Sequence, residues 1–304
     1  MNIGTQQESV KTQKDALLAS ALAELSDHPL SPENLAKARA QVRAFHDTQF
    51  DSWTLSFSEV EETKDFKIPG TDWVFHYRLD AKIDGDYGTQ VLDWKTIAAS
   101  QAKPEYRSGL RSFLEHDRQV NYYARAECVP TLDFFHLVKS GKRLKKNQTP
   151  DQLESEVYLD MISDPAGHFF HLIIAPISVD EVDAELVHTV ERLSALRAMG
   201  NKAYALKNRR ACKGCPFQEV CTHVLDLDDD RYFQDKQPAV EGGKYISVSQ
   251  QNTWHECERA WYHTYVDWRE PRQHQRSYFS YGAAVHDALE VWAKGIAAAK
   301  EADK

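Results

Sequence analysis

The stretch Tyr77–Thr96, YRLDAKIDGDYGTQVLDWKT, decides how the rest of the chain is read. It predicts two strands joined by a tight turn. Asp84-Gly85-Asp86 and Gly88 make the turn, because glycine reaches positive φ at little cost and aspartate tolerates it. The flanking runs WVFHYRL and VLDWKT favour an extended chain. In the second run Asp93 and Lys95 are two residues apart, so a strand points both at one face, with Val91. Leu92 and Trp94 point to the other face. Charge on a strand that otherwise looks buried must be paired or metal-bound. Asp80, on the first strand, lies across from Asp93 and would complete an acidic pair for a metal. An ordinary ion network on a half-solvated sheet is the plainer reading of the same residues.

Downstream, Pro104 to Cys128 reads as mostly helical. It carries Gln119 and Tyr123, four residues apart and therefore on one helix face. An Asp, about a dozen residues, Asp-aromatic-Lys-Thr, and then Gln-x3-Tyr resembles the RecB-type branch of the PD-(D/E)XK nucleases. The resemblance implies an α/β fold: a restriction-endonuclease-like mixed sheet flanked by helices, with a helical part bearing an iron–sulfur cluster. It also implies metal-dependent hydrolysis of DNA phosphodiesters, as an exonuclease acting on single strands or duplex ends. Asp80, Asp93, Lys95, Gln119 and Tyr123 would form the catalytic set.

ACKGCPFQEVC places Cys212, Cys215 and Cys221 at a Cys-x2-Cys-x5-Cys spacing, close enough for thiolates to face one centre. Three reduced core cysteines are the plainer alternative. A fourth ligand would come from Cys128 or Cys257. Cys257, in WHECERAWYHTY, resembles the Cys-Pro-x-x-Tyr-Tyr helix of RecB-type nucleases with a [4Fe–4S] cluster, among them AddB subunits and the CRISPR-adaptation exonucleases. Glu258 stands where that family has proline. The resemblance assigns Cys257 to the cluster and leaves Cys128 as a buried free thiol. Zinc on four thiolates stays open as the rival metal.

FSYGAAVHDALEVW resembles the family's Gly-x3-His-x2-Leu-Glu motif at Gly282, His286, Leu289 and Glu290. By that resemblance His286 joins Asp80, Asp93 and the backbone carbonyl of Trp94 around Mg²⁺ or Mn²⁺. Lys95 would orient the attacking water, Gln119 and Tyr123 would support the site and contact DNA, and Glu290 would be structural. In the family, the Cys and His helices precede the catalytic strands. Here they follow them, so the chain resembles a circular permutant. On that reading residues 1–225 form the nuclease core, 226–243 a linker, and 244–304 a transposed N-terminal part. The alternative is a tandem protein whose last 63 residues begin a second copy.

The 304 residues, 42% hydrophobic and 27% charged, suit a soluble globular protein with a sizeable core. Apolar runs are too short to span a membrane, and MNIGTQQESVKTQK lacks a secretory signal, so a cytoplasmic location is expected. A net charge of −9 argues against coating nucleic acid by bulk charge. The basic runs Lys139–Lys146, Lys207–Arg210 and Arg269–Arg276 read as solvated segments. The expected partners are DNA and a recombination or CRISPR-adaptation protein, with no membrane. A non-catalytic DNA-binding protein retaining the nuclease fold, and a zinc- or cluster-based sensor, are the competing functions.

The remaining pattern predicts helices over 10–27, from Ser31-Pro32-Glu33 to about Phe50, and over 178–199, with Val182, Leu186, Val190, Leu193 and Leu196 inward. Further helices are expected over 248–268 and from Tyr281 to about Lys300, with Val285, Leu289 and Trp292 inward. Strands are expected over 53–62, 132–139, 156–162 and 168–175. Trp254, Trp261 and Tyr262 would pack in the core or stack on unpaired bases.

Overall fold

A computed structural model describes residues 3–50, 56–85, 88–200, 205–208, 210–213, 215–240, 243–272 and 277–302. Asp86, named above, and residues 1–2, 53–55, 87, 209, 214, 241–242, 273–276 and 303–304, within stretches read above, lie outside them. In chain order the elements are α1 (Ile3–Glu24), α2 (Pro32–Gln49), β1 (Ser56–Lys67), β2 (Val74–Gly85), β3 (Gly88–Ala98), α3 (Pro104–Glu115), α4 (Arg118–Glu127), β4 (Leu132–Lys139), α5 (Pro150–Ser163), α6 (Pro165–His168) and β5 (Phe169–Ile174). Then follow α7 (Val179–Met199), α8 (Gln218–Cys221), β6 (Phe233–Asp235), β7 (Tyr245–Ile246), α9 (Val248–Glu256), α10 (Glu258–Tyr265), β8 (Arg269–Pro271) and α11 (Ser277–Ala302).

Two compact units result: residues 1–62, 79–176 and 275–304, and residues 63–78 and 177–274. These fall differently from the segmentation expected at 225 and 243. The first unit holds a mixed sheet in the order β1-β2-β3-β4-β5. β2 and β3 run antiparallel, with Ala81 opposite Leu92. β3 and β4 run parallel, with Lys95 opposite His136, and β5 returns antiparallel to β4. Ser31 caps α2 by accepting from the Asn34 N–H, and Pro32 opens its first turn, as the sequence predicts.

The core of this unit centres on Phe45. Its ring makes edge contacts with Trp94, Phe135, Phe169 and Trp292, with centroids 5.1–5.9 Å apart. Tyr281 and Trp292 of α11 anchor to α2, the Tyr281 hydroxyl donating to Gln41 and the Trp292 indole donating to His46 Nδ1. Val285, Leu289 and Trp292 are fully buried, as expected.

In the second unit, α7 buries Val182, Leu186, Val190, Leu193 and Leu196. Arg197 lies over Trp73 and Trp261, and donates to the carbonyls of Gly243 and Tyr265. Trp254, Trp261 and Tyr262 are buried, so base stacking by these rings is excluded in favour of the core reading.

Several expectations are corrected. Residues 156–162 are helical, not a strand. Thr149 and Gln152 form a reciprocal capping box, and Leu153, Val157 and Met161, four apart, supply the buried stripe. The helix expected over 248–268 breaks at Cys257, whose backbone is extended. Residues 226–240 are more than a linker: Phe233–Asp235 pairs with β8, and Leu227 and Phe233 are buried. Arg269 is not solvated. It is buried and pairs with Asp230 and Asp235. Cys128 is exposed rather than buried, because it sits in the left-handed position that ends α4.

Phe45→Ala removes the ring that four aromatic neighbours share. Chemical denaturation should register a loss of about 3–5 kcal/mol, the usual cost of such a truncation. A loss below about 1 kcal/mol would contradict the packing described.

Candidate active site

The register of β2 and β3 places Asp80 and Asp93 across from each other. Both side chains are largely withdrawn from water, Asp93 almost completely. Two buried carboxylates at this range repel each other and need donors or cations. Asp80 Oδ2 accepts the Trp94 N–H at 2.8 Å. Asp93 Oδ1 accepts from Gln119 Nε2 at 2.5 Å, and Lys95 Nζ sits 2.6 Å from Asp93 Oδ2. That last contact is an ion pair off the hydrogen-bonding direction, since Oδ2 gains no hydrogen bond from it. Lys95 Nζ instead donates to Gln119 Oε1 at 2.9 Å.

Gln119 therefore bridges the carboxylate and the ammonium with its two amide ends. Its position follows from the start of α4, where Asp117 caps the helix by accepting the Gln119 N–H at 2.7 Å. Tyr123 lies one turn further along the same face and is buried. Trp94 buries its indole beside Phe45 and Phe135, as strand alternation requires.

Burial pushes the Asp93 carboxyl well above the usual carboxylate range. Lys95 pulls it down and Asp80 raises it again. Burial also opposes the Lys95 ammonium, but Asp93 outweighs it and holds the group above its usual value, with Asp80 and Asp117 assisting. His136, opposite Lys95, is pushed down to about 4 by burial and stacks on Phe170.

α11 brings His286 to Asp80 and Glu61. Its Nε2 lies 3.1 Å from Asp80 Oδ1 and 3.4 Å from Glu61 Oε1. Burial alone would lower the imidazole. The hydrogen bond and charge of Asp80, then Glu61 and Asp287, outweigh it and raise the group to about 9. Among the described residues, Glu61, His286 and Glu290 bring three potential ligand atoms within 4.8 Å of one another. Glu290, expected to be structural, thus stands beside His286 and also pairs with Lys294. These oxygen and imidazole donors suit a hard divalent ion such as Mg²⁺ or Mn²⁺.

Sequence reasoning missed Glu61. It lies in the run Glu59-Val60-Glu61-Glu62, where no residue stands out by type. The strand alternation also breaks here: Glu59, Val60 and Glu61 are all sheltered, Glu62 and Thr63 are exposed, and alternation resumes at Lys64 and Phe66. Glu61 itself has φ 53°, a left-handed residue inside a strand.

In the second unit the four remaining cysteines occupy one region. Burial pushes the Cys215 and Cys221 thiols up, and both also feel Cys257 and Cys212. Cys257 lines a cavity of about 510 Å³ with Cys215, Phe217, Lys213 and Ala260. Among the described residues no three cysteine sulfurs gather within 4.8 Å. A closed tetrahedral zinc site would hold its sulfurs about 3.8 Å apart, from Zn–S bonds of about 2.3 Å.

The His286 position makes a prediction about the metal-free protein. A histidine raised on folding contributes stability that is complete below its unfolded pKa and lost as pH rises through the folded one. In EDTA, the stability difference between wild type and His286→Gln should be constant below about pH 6.5 and shrink steadily towards pH 9. A pH-independent difference, measured by denaturant titration, would contradict the ion pair.

No curated protein matches the chain. Among solved structures it is similar to one titled "Crystal structure of SSO0001", at 15% identity and a TM-score of 0.30, over 70% of this chain and 97% of that one. A likeness this low carries no argument. The model of the PD-(D/E)XK nuclease superfamily matches residues 3–222. That span takes in β2, β3 and α4 with every acidic, lysine and glutamine group of the hairpin site, and the chain belongs to the PD-(D/E)XK nuclease superfamily.

Proposed function

We propose that the chain is a RecB-type, metal-dependent DNA nuclease that acts as an exonuclease on single strands or duplex ends. The observation that carries the reading is the closed circuit Asp93–Lys95–Gln119 facing Asp80 and His286. Asp80, Asp93, His286 and the Trp94 carbonyl would hold Mg²⁺ or Mn²⁺. Such an ion supplies Lewis acidity to the scissile phosphate and a more acidic water. Lys95 orients that water and balances charge on the phosphorane, with its ammonium kept charged by Asp93. Gln119 fixes the Lys95 rotamer, and Tyr123 buttresses the helix that carries Gln119. His286 must surrender the proton it holds in the metal-free protein before Nε2 can act as a ligand.

Cys212, Cys215, Cys221 and Cys257 would hold a structural [4Fe–4S] cluster. The thiols of Cys215 and Cys221 lie near enough to Cys257 and Cys212 to feel their charge, and Cys215 and Cys257 line one cavity. The cluster would staple residues 212–221 to the break between α9 and α10. Residues 244–304 then read as the transposed N-terminal part of a circularly permuted nuclease. What supports this is that His286, outside the matched span, stands at Asp80, while Cys257 stands among the cysteines of 212–221.

Purified protein should degrade DNA with Mn²⁺ and not with EDTA, and Asp93→Ala should lower the rate by at least about a hundredfold while remaining folded. Cleavage at the wild-type rate by Asp93→Ala would sink the assignment. For the cluster, anaerobically purified protein should be brown with about four irons per chain. Cys257→Ser should lose the iron and Cys128→Ser should keep it. Stoichiometric zinc without iron after anaerobic reconstitution would replace the cluster by the zinc reading.

A further inference from the structure

We propose that the outward side of α3 is a stacking platform for the unpaired DNA strand that leads to the active site, with Tyr106 and Phe113 under the bases. The proposal rests on the nuclease reading and gives that site a substrate-binding surface.

A helix lying on a sheet should bury its apolar stripe. In α3 the stripe is Tyr106, Leu110 and Phe113, spaced i, i+4 and i+7 on one side. It is turned outward: Tyr106 is 58% exposed and Phe113 66%. The adjoining side meets the sheet instead. There the Arg107 guanidinium lies 4.0 Å from the centre of the Phe170 ring, Arg111 Nη1 donates to the Ile173 carbonyl at 3.2 Å, and Leu114 is buried.

Beside Tyr106 and Leu110 opens a hollow of about 460 Å³, lined also by Gly109 and Lys103. Glycine inside a helix is destabilising relative to alanine. Nothing lies within 4 Å of the place a Cβ on Gly109 would take, so no packing within the protein requires the glycine. Its bare backbone does widen the hollow, to the benefit of a flat ring entering beside Tyr106.

The charge suits a phosphate chain. Among the described residues, Lys103, Arg107 and Arg111 pair with no carboxylate. Arg107 is held by the carbonyls of Ala102 and Ala166, which fix its plane without neutralising it. By contrast, Lys142 and Lys145 of the other basic run in this unit are drawn to Glu156 and Asp160.

The platform also stands close to the chemistry. Lys95, His136 and Phe170 are register partners across β3, β4 and β5. Phe170 is therefore two strand spacings, roughly 10 Å, from Lys95. At a rise of about 3.4 Å per nucleotide, a strand cleaved beside Lys95 reaches Phe170 and the Arg107 above it about three nucleotides away. Rings such as Tyr106 and Phe113 stack only on bases whose faces are bare, so the surface selects unpaired over paired DNA.

The test is fluorescence anisotropy of a labelled oligodeoxythymidine strand and of a blunt duplex of equal length, on the whole chain in EDTA. The double variant Tyr106→Ala, Phe113→Ala should bind the single strand at least about tenfold more weakly, as the loss of two stacked bases implies. Its affinity for the duplex should stay within about twofold of wild type. With Mn²⁺, the KM for the single strand should rise with the dissociation constant. Gly109→Gln, which fills the hollow with a better helix former, should weaken single-strand binding at least about threefold while its melting temperature holds or rises. Wild-type single-strand affinity and KM in both variants would overturn the proposal and leave the nuclease reading intact. Equal weakening for single strand and duplex would overturn it too. A wild-type dimer that the double variant turns into a monomer, with single-strand affinity unchanged, would give the stripe to a second copy of the chain instead. Wild-type protein that neither binds nor cleaves DNA would sink both readings.

Discussion

Two carboxylates, Asp80 and Asp93, face each other across a buried antiparallel ladder, and the architecture around them answers that one electrostatic demand. Each must receive donors or cations from elements far apart in sequence. Lys95 comes from the same strand, two residues on. Gln119 comes from α4, aimed by the Asp117 cap. His286 comes from α11, held against α2 by Tyr281 and Trp292. Removing any of these elements would leave a charge stranded in the sheet.

The arrangement trades stability for readiness. Asp93 is held above the usual carboxylate range by burial, and His286 is held protonated by Asp80 and Glu61. In the metal-free protein, the histidine proton sits where the donor spacing suits a cation. Concentrating perturbed groups of both signs in one place is the usual mark of a catalytic centre. The cysteine region solves a different problem. Phe217, Val220, Leu227 and Phe233 make only a small core there, which the proposed cluster would supplement.

The hairpin was legible because its signal is local. A period of two puts Asp93 and Lys95 on one face, and the turn residues between the strands set Asp80 opposite them. Gln119 was singled out by the resemblance to the RecB-type Gln-x3-Tyr helix, with helical spacing adding that Tyr123 shares its face, and the inward face of α11 was legible through Val285, Leu289 and Trp292. The failures share a cause: information that sits in capping or in a change of phase. Residues 156–162 carry β-favouring Val157, Tyr158 and Ile162, yet Thr149, Pro150 and Gln152 had already started a helix. Glu61 hides in an acidic run, and nothing in residue type announces a left-handed backbone there. The polar segment 226–240 reads as a linker until Arg269, over 30 residues later, folds back on Asp230 and Asp235.

The central claim is that the carboxylate pair and His286 form a divalent-ion site. The most direct measurement is a crystal structure of the Mn²⁺-soaked protein with anomalous difference density. The account predicts a peak about 2.1–2.3 Å from Asp80 and His286 Nε2. Ordered Mn²⁺ elsewhere with this site empty, and His286 still paired to Asp80, would contradict it.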